Sequence, residues 1–331
     1  MELTGQIAGA VTRRAVFRAP GASAASRRLD VGYGTDAAYV RPMGVSIASL
    51  AEANPGLDLR VHVFASSITD GDLARLRTLA EGRPGLEIVL YDVDAAVFGN
   101  LPILRRYPLA IYFRLLMPLV LPDLERLLYL DSDILCLGDL GPLADAAPEG
   151  EVAAVVSDVG KTPGNRMAAL GMTGGRYFNS GVMLIRVPLW NSLQVSERTL
   201  HLLEETPARF LLPDQDALNL LLEGRLRYLP AAWNCMSLAP ADVASAVLLH
   251  CAAHPKPWRA ACGTPAQALY LGIEARTPWG GLPLEPPKDY QEARWFARKL
   301  FRTGELSQGL AWFARSGLMK FRRKVLGRGD A

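Results

Sequence analysis

The chain has 331 residues, of which 50% are hydrophobic and 21% are charged, so it can bury a substantial core and is not intrinsically disordered. Its net charge of +3 is unevenly distributed. Residues 294–331 contain ten Lys and Arg against two acids, a local charge of +8, so the preceding 293 residues carry −5. A basic tail on a mildly acidic body predicts an anionic surface as the partner of the tail.

The cysteines and the hydropathy indicate a cytoplasmic protein. Cys136, Cys235, Cys251 and Cys262 form no C-x-x-C pair and show no spacing typical of a disulfide framework, so we interpret them as small core residues. No stretch approaches the roughly 20 apolar residues of a membrane-spanning helix. The N-terminus lacks the apolar core of a secretory signal. We therefore expect a protein of a reducing compartment that at most lies against a membrane.

Strand and helix patterns alternate along most of the chain. Residues 1–28 are rich in Ala, Arg and Ser without periodicity, so we predict a loose N-terminal extension there. In chain order, the predicted elements are strand 29–33, helix 39–53, strand 57–65, helix 69–82, strand 86–91, helix 111–119 and the strands 126–130, 152–156, 182–187 and 247–250. This alternation favours an α/β fold with a mostly parallel sheet, whose ligands bind at the carboxyl ends of strands.

The composition changes after residue 265. Pro and Gly are frequent up to Pro287, and residues 290–325 then form a predicted basic helix. We place the main domain at 29–265 and a C-terminal helical region at 266–331. The helix interleaves its basic residues with Trp295, Phe296, Phe301, Trp312, Phe313 and Phe321. Part of it should pack on the protein, and the rest suits the surface of an anionic membrane. Nucleic acid is not expected as a partner, because no nucleic-acid-reading module accompanies the helix.

One acidic motif has the context of a metal site. Four D-x-D motifs occur: Asp70/Asp72, Asp92/Asp94, Asp131/Asp133 and Asp214/Asp216. The first two lie at a predicted helix N-terminus and a strand exit, where they have ordinary structural roles. Asp131 and Asp133 instead stand between the apolar strand 126–130 and apolar residues 134–137. Carboxylates at such a border need a cation or hydrogen bonds, and a divalent cation there would neutralise a departing diphosphate.

The segment RLLYLDSDIL (residues 126–135) resembles the D-x-D strand of glycosyltransferase family 8, which includes glycogenins and bacterial lipopolysaccharide hexosyltransferases. Further segments match in the same order: YFNSG at 177–181, PDQDALN at 213–219, and His250 followed by KPW at 256–258. Three other segments are similar to the lipopolysaccharide-core galactosyl- and glucosyltransferase branch: residues 31–66, VSER at 195–198 and the segment around Trp279. The resemblance covers about residues 29–325. It implies a catalytic domain with a GT-A-type nucleotide-diphosphate-sugar-binding fold.

The resemblance also implies a metal site and a diphosphate site. Asp131, Asp133 and His250 would bind Mn²⁺, with Mg²⁺ as the alternative, because an oxygen-rich site with one imidazole suits these ions. Lys256 would pair with the diphosphate. Ala253 replaces a glycine that approaches the phosphates in the family pattern.

Three residues near the end of the first strand would bind the uridine. By the same resemblance, Asp36 would accept the uracil N–H, Tyr39 would stack on the base, and Gly34 would let the backbone approach. Arg114 lies among apolar residues, and a buried arginine must meet a carboxylate or a phosphate. Its position leaves two alternatives, a structural ion pair or contact with the donor's phosphates.

The sugar pocket would consist of carboxylate and amide side chains, namely Asp158, Asn179, Asp214 and Gln215. Family members retain the anomeric configuration, and Gln215 matches the residue closest to the anomeric carbon. An amide is a poor nucleophile, so we favour a same-face displacement in which the leaving phosphate accepts the acceptor's proton. Asp214 is the alternative nucleophile.

These observations predict a retaining, metal-dependent hexosyltransferase at the inner face of the bacterial inner membrane. It would transfer glucose or galactose from a UDP-sugar to the lipid-linked lipopolysaccharide core, and the sequence does not choose between the two sugars. Two alternatives stay open. One is a haloacid-dehalogenase-like phosphatase with Asp131 as nucleophile and Asp133 as acid. The other is an inactive sugar-nucleotide-binding protein, against which the intact Asp131, Asp133, His250 and Lys256 count.

Overall fold

The computed structural model describes residues 9–20, 27–102, 108–146, 150–160 and 162–326. The chain divides into two compact units, residues 1–250 and residues 251–331. The boundary therefore falls fifteen residues before the predicted one, and the KPW segment belongs to the second unit.

The first unit contains the described strands. They are β1 (Val11–Arg18), β2 (Arg28–Asp36), β3 (Asp58–Ser66), β4 (Leu86–Val93), β5 (Arg126–Leu130), β6 (Ile134–Cys136), β7 (Ala153–Ser157), β8 (Phe178–Arg186), β9 (Leu226–Leu229) and β10 (Leu248–His250). Eight form one sheet in the order β1-β4-β3-β2-β5-β8-β7-β9, and β6 pairs with β10 in a second, antiparallel sheet.

The large sheet is mixed and mostly parallel, as the sequence predicts. Strands β4, β3, β2 and β5 are parallel to one another, and β7 and β9 are parallel to each other. Strand β8 runs antiparallel between β5 and β7, and β1 runs antiparallel to β4. The start of β8 therefore lies at the same sheet edge as the carboxyl ends of β2, β5 and β7. Strand β5 is apolar because four of its five residues are buried, as expected for a central strand covered on both faces.

Helices cover the sheet and connect its strands. In the first unit they are α1 (Val40–Ala53), α2 (Asp70–Glu81), α3 (Phe113–Val120), α4 (Gly141–Asp145), α5 (Thr162–Leu170), α6 (Val187–Ser192), α7 (Val195–Glu205), α8 (Pro213–Leu221) and α9 (Pro240–Ser245). Thr69 caps α2, because its hydroxyl oxygen accepts from Asp72 N at 3.2 Å. Helix α1 is buried over most of its length, which explains why it lacks a polar face.

The prediction of a loose N-terminal extension is wrong for residues 11–18. They form β1, an edge strand that pairs with β4 from Val11↔Val93 to Arg18↔Glu87. Most of its side chains are exposed, so no apolar alternation marks it in the sequence. Residues 1–8 and 21–26 of the predicted extension lie outside the described part of the chain.

The second unit contains α10 (Pro265–Glu274), α11 (Tyr290–Arg302) and α12 (Leu306–Leu326). The single predicted helix 290–325 is therefore two helices, separated by residues 303–305, and Gly304 has a φ of +85°. Asp289 begins α11 by accepting from Gln291 N and Glu292 N. Among the helices of the described residues, none combines the length and the apolar character needed to cross a bilayer. All four cysteines are buried, as predicted for small core residues.

Candidate functional site

The predicted metal ligands converge at the carboxyl end of β5. Asp131 follows β5 directly, and its backbone N–H donates to Gly181 O at 2.9 Å. A tight turn then leads through Asp133 into β6, where Ile134 pairs with His250 on β10. The pairing of β6 with β10 thus brings His250 beside the D-x-D motif, although 117 positions separate His250 from Asp133 in the sequence.

These three side chains have the arrangement of a metal site. One possible ligand atom from each of Asp131, Asp133 and His250 lies within 4.8 Å of the other two. His250 Nε2 is 3.2 Å from Asp133 Oδ1 and 3.9 Å from Asp131 Oδ2. The other oxygen of Asp131, Oδ1, accepts from Tyr129 OH at 2.7 Å and from Arg114 at 2.9 Å. The side chains therefore fit a divalent cation, with two carboxylates and one imidazole as donors.

Gly181 allows this approach. A Cβ at this position would lie 2.5 Å from His250 Cε1, 2.8 Å from Asp131 Oδ2 and 3.0 Å from Asn179 Oδ1. The segment lies in an irregularity of the sheet, because β7 pairs Val155 with Met183 but the next residue with Asn179. Residues 180–182 are therefore left out of the pairing with β7, as the extra residues of a bulge are. The glycine of the YFNSG segment is therefore required by close packing.

Arg114 is buried at the centre of the site, where it forms ion pairs with Asp131 and Asp214. Its guanidinium donates to Asp131 Oδ1 at 2.9 Å and lies 3.1 Å from Asp214 Oδ2, and its exposed fraction is 4%. It also donates to the carbonyls of Ile111 and Ser180. Burial disfavours its charged form, but the two carboxylates outweigh this effect and raise the pKa of Arg114. The structure supports the carboxylate alternative of the prediction and does not test contact with phosphates.

The predicted sugar-pocket residues form one hydrogen-bond network. Gln215 Oε1 accepts from Ser180 N at 3.0 Å and from Asn179 Nδ2 at 3.2 Å. Gln215 Nε2 donates to Asp158 Oδ2 at 2.9 Å and to Tyr177 OH at 3.2 Å. Residues from β8, from the exit of β7 and from the first turn of α8 are thereby held together at one edge.

Asp214 lies beside this network and is almost fully buried. Burial raises the pKa of its carboxyl, Arg114 opposes that shift, and the nearby Asp131 adds to it. A carboxylate that is buried and already engaged with a guanidinium is poorly placed to attack a substrate.

Asp216 is a supporting residue that sequence reasoning missed. Its carboxylate is fully buried and accepts from Arg166, from Tyr177 OH at 2.6 Å and from Leu211 N and Leu212 N. It ties the start of α8 to α5 and to β8, and so positions Gln215. The sequence signal that could have identified Asp216 is its place as the second carboxylate of the D-Q-D segment. Its partner Arg166 is not identifiable from spacing.

The predicted uridine-binding residues lie at the end of β2 and directly after it. Asp36 Oδ1 accepts from Ala38 N at 3.0 Å, and Tyr39 is the half-buried residue before α1. A Cβ at Gly34 would lie 2.8 Å from Ala110 O and 3.1 Å from Phe113 Cβ, so internal packing already requires this glycine. Ser132 Oγ donates to Gly34 O at 3.3 Å, which links β2 to the D-x-D turn.

Lys256 belongs to the second unit. It is buried, and its ammonium group donates to Cys251 O at 2.9 Å and to Ala252 O at 3.0 Å. These contacts give the side chain a defined place in its own unit. Its predicted pairing with a diphosphate stays a prediction.

Comparison with known proteins places these features in a family. Residues 30–262 match the family model for glycosyl transferase family 8. The chain is 30% identical over 317 residues to the lipopolysaccharide 1,3-galactosyltransferase of Salmonella typhimurium, covering 90% of this chain and 92% of that protein. It is 32% identical over 270 residues to the lipopolysaccharide 1,2-glucosyltransferase of Escherichia coli strain K12, covering 77% and 80%.

A solved structure shows the same fold. The galactosyltransferase LgtC, in complex with donor and acceptor sugar analogues, matches with a TM-score of 0.67 at 23% identity, covering 76% of this chain and 96% of that one. The fold is therefore the predicted GT-A type. It is not the haloacid-dehalogenase fold that the phosphatase alternative requires.

Proposed function

We propose that this chain, which belongs to glycosyl transferase family 8, transfers glucose or galactose from a UDP-sugar to the lipopolysaccharide core. The observation that carries the proposal is the cluster of Asp131, Asp133 and His250 at the sheet edge where the Gln215 network also lies. The relatives named for lipopolysaccharide galactosyl and glucosyl transfer support the acceptor class, and since both sugars occur among them, they leave the donor open.

Asp131, Asp133 and His250 would hold Mn²⁺, with Mg²⁺ as the alternative. When bound, such a cation neutralises the charge that develops on the leaving diphosphate. Arg114 keeps Asp131 in place through its Oδ1, so that Oδ2 faces His250. Lys256 would add a positive charge for the diphosphate, and Asp36 and Tyr39 would bind the uridine.

The sugar would be held by Asp158, Asn179 and Gln215. In the same-face displacement, the bond from the anomeric carbon to the phosphate oxygen breaks as the acceptor oxygen bonds to that carbon. The acceptor's proton passes to the phosphate oxygen that leaves. The burial of Asp214 against Arg114 supports this route over a covalent intermediate on Asp214, because the guanidinium reduces the nucleophilicity of the carboxylate.

The central test is a donor screen with UDP-glucose, UDP-galactose and their N-acetyl forms, each with Mn²⁺ and with lipopolysaccharide-core acceptor. We expect UDP release with one of the unsubstituted hexoses, and loss of release when the metal is chelated. Asp133→Asn should lower turnover by about 10²–10³-fold. Asp70→Asn is the matched control, since this exposed D-x-D aspartate lies at the start of α2. Equal activity of Asp133→Asn and the control would remove the metal role.

We further propose that α12 lies on an anionic membrane surface, which would place the enzyme at the cytoplasmic face of the inner membrane. Six large apolar side chains recur along α12 at intervals of three to five residues, which places them on one face. They are exposed by 48–64%: Leu306, Leu310, Phe313, Leu318, Phe321 and Val325. Phe296 and Trp312 instead pack edge to face, with ring centroids 5.3 Å apart, so part of the predicted aromatic set is internal.

Charge supports this apolar face as a membrane contact. Lys320, Arg322, Arg323 and Lys324 lie on the same helix, and each contributes about 1 kcal/mol near an anionic surface. The test is sedimentation with phosphatidylglycerol-containing vesicles. Phe321→Glu should release the protein, whereas Leu211→Glu should not, since Leu211 is as exposed (63% against 62%) but lies in the first unit. Equal binding of both variants would count against α12 as the contact.

A further inference from the structure

Asn234 contacts a proposed metal ligand, yet no sequence motif pointed to it. It ends a 3-10 helix (Ala231–Asn234) and is 2% exposed. Its position beside His250 is fixed by backbone pairing, because His250 N donates to Cys235 O and Cys235 N donates to Leu248 O, both at 2.8 Å. The side chains meet at 2.9 Å, between Asn234 Oδ1 and His250 Nδ1.

Backbone groups determine the orientation of the neighbouring amides. Ser180 N donates to Gln215 Oε1, so Asn179 must present its Nδ2 to that same oxygen. Asn179 Oδ1 then faces the opposite way, where Gly181 N donates to it at 3.0 Å. A backbone N–H can only donate. That of Ser180 therefore fixes the Nδ2 end of Asn179 through Gln215 Oε1, and that of Gly181 fixes its Oδ1 end.

The orientation of Asn179 determines that of Asn234. Asn179 Oδ1 is an acceptor, so Asn234 donates to it through Nδ2 at 2.9 Å. This leaves Asn234 Oδ1, which can only accept, against the histidine ring. In the neutral imidazole, His250 must then carry its proton on Nδ1, and the lone pair of Nε2 faces Asp133 Oδ1 at 3.2 Å.

We infer that Asn234 is a positioning residue that holds His250 in the tautomer able to bind a cation through Nε2. His250 Nε2 and the Asp133 carboxylate then present their lone pairs to the same space, which is the arrangement that a cation binds. Without Asn234, the proton would move to Nε2 and donate to Asp133, and this hydrogen bond would compete with metal binding. The inference rests on the proposed metal role. It also links the metal ligand to the Gln215 network through Asn179.

The tautomer can be read without metal or substrate. Long-range ¹H–¹⁵N correlation spectra of the metal-free full chain at pH 9, assigned with a His250→Gln variant, distinguish a protonated Nδ1 from a protonated Nε2. We expect wild type to carry the proton on Nδ1. Asn234→Leu should carry it mainly on Nε2, because Asp133 is then the remaining acceptor. Asn234→Asp should restore protonation at Nδ1, since a carboxylate oxygen still accepts there. An unchanged tautomer in Asn234→Leu would overturn the inference.

Mn²⁺ affinity is the second readout, measured by electron paramagnetic resonance with Mn²⁺ alone. Asn234→Leu should weaken binding by about 10–100-fold, and Asn234→Asp should bind within about threefold of wild type. Asn54→Leu is the matched control: Asn54 is also a buried amide (4% exposed), and its hydrogen bonds to Leu50 O, to Cys136 Sγ and from Leu140 N involve none of the three proposed metal ligands. It should bind Mn²⁺ normally.

The outcomes separate the two proposals. Absence of Mn²⁺ binding in wild type, with the predicted tautomer still present, would remove the metal role and leave the positioning role intact. Normal Mn²⁺ binding in Asn234→Leu, or equal losses in Asn234→Leu and Asn234→Asp, would overturn the positioning role and leave the metal role standing.

Discussion

The candidate site and helix α12 both contain residues in unexpected surroundings, but of opposite kinds. In the site, charged and polar side chains are buried, and Arg114, Asp214 and Asp216 are each satisfied by neighbours within the first unit. On α12, apolar side chains are exposed, and Leu310 and Phe321 are more than 60% accessible. Buried charges are expensive to leave unpaired, so the fold itself specifies their partners. Exposed apolar side chains cost little, so only binding to another surface gives them a role.

The largest expected effect tests whether the fold depends on the buried charges. Arg114→Met removes the cation from between Asp131 and Asp214 and leaves the buried carboxylate of Asp214 uncompensated. We expect the free energy of unfolding to fall by about 3–5 kcal/mol, measured by denaturation in urea. Arg18→Met is the control, because the Arg18–Glu87 pair lies at the surface with Arg18 66% exposed. It should cost less than about 1 kcal/mol. Similar losses in both variants would erase the distinction between buried and exposed pairs.

The next effect tests how tightly the site is packed. Gly181→Ala places a methyl group against His250 and Asp131, so we expect Mn²⁺ binding to be lost and stability to fall by about 1–3 kcal/mol. Gly164→Ala on α5 is the control, because a methyl group added there would point into open space. That variant should be neutral or more stable by up to about 1 kcal/mol. Retention of Mn²⁺ affinity in Gly181→Ala would mean that the ligands are held more loosely than the distances indicate.

The smallest effect comes from the exposed face of α12. Phe321→Glu should change the free energy of unfolding by no more than about 0.5 kcal/mol while it reduces vesicle binding. Leu300→Ala on α11 is the contrasting variant: Leu300 is 5% exposed, and its truncation should cost about 2–5 kcal/mol. Thermal unfolding of the two variants measures this difference. A large loss of stability in Phe321→Glu would show that the face is covered within the protein.

The fold was largely predictable because it repeats local patterns. Strands β3 and β5 and helices α1 and α2 were found within one or two residues of their predicted ends, since apolar periodicity and caps such as Thr69 mark them directly. Strand β1 and the break at Gly304 were not found. An exposed edge strand needs no apolar face, and the basic helical pattern continues across the three residues that separate α11 from α12.

The amino-acid sequence was sufficient for the α/β class, the D-x-D turn after an apolar strand and, through the family resemblance, the set of residues gathered at one sheet edge. How these residues meet depends on contacts between distant parts of the chain. The pairing of β6 with β10 sets His250 beside Asp133, and Gly181 leaves room for His250 and Asp131 to approach. The backbone pairing of Cys235 with Leu248 and His250 brings the adjacent Asn234 into contact with the His250 ring. Spacing reports only which side chains share a strand or a helix, whereas hydrogen bonds between distant strands fix which polar atoms face one another.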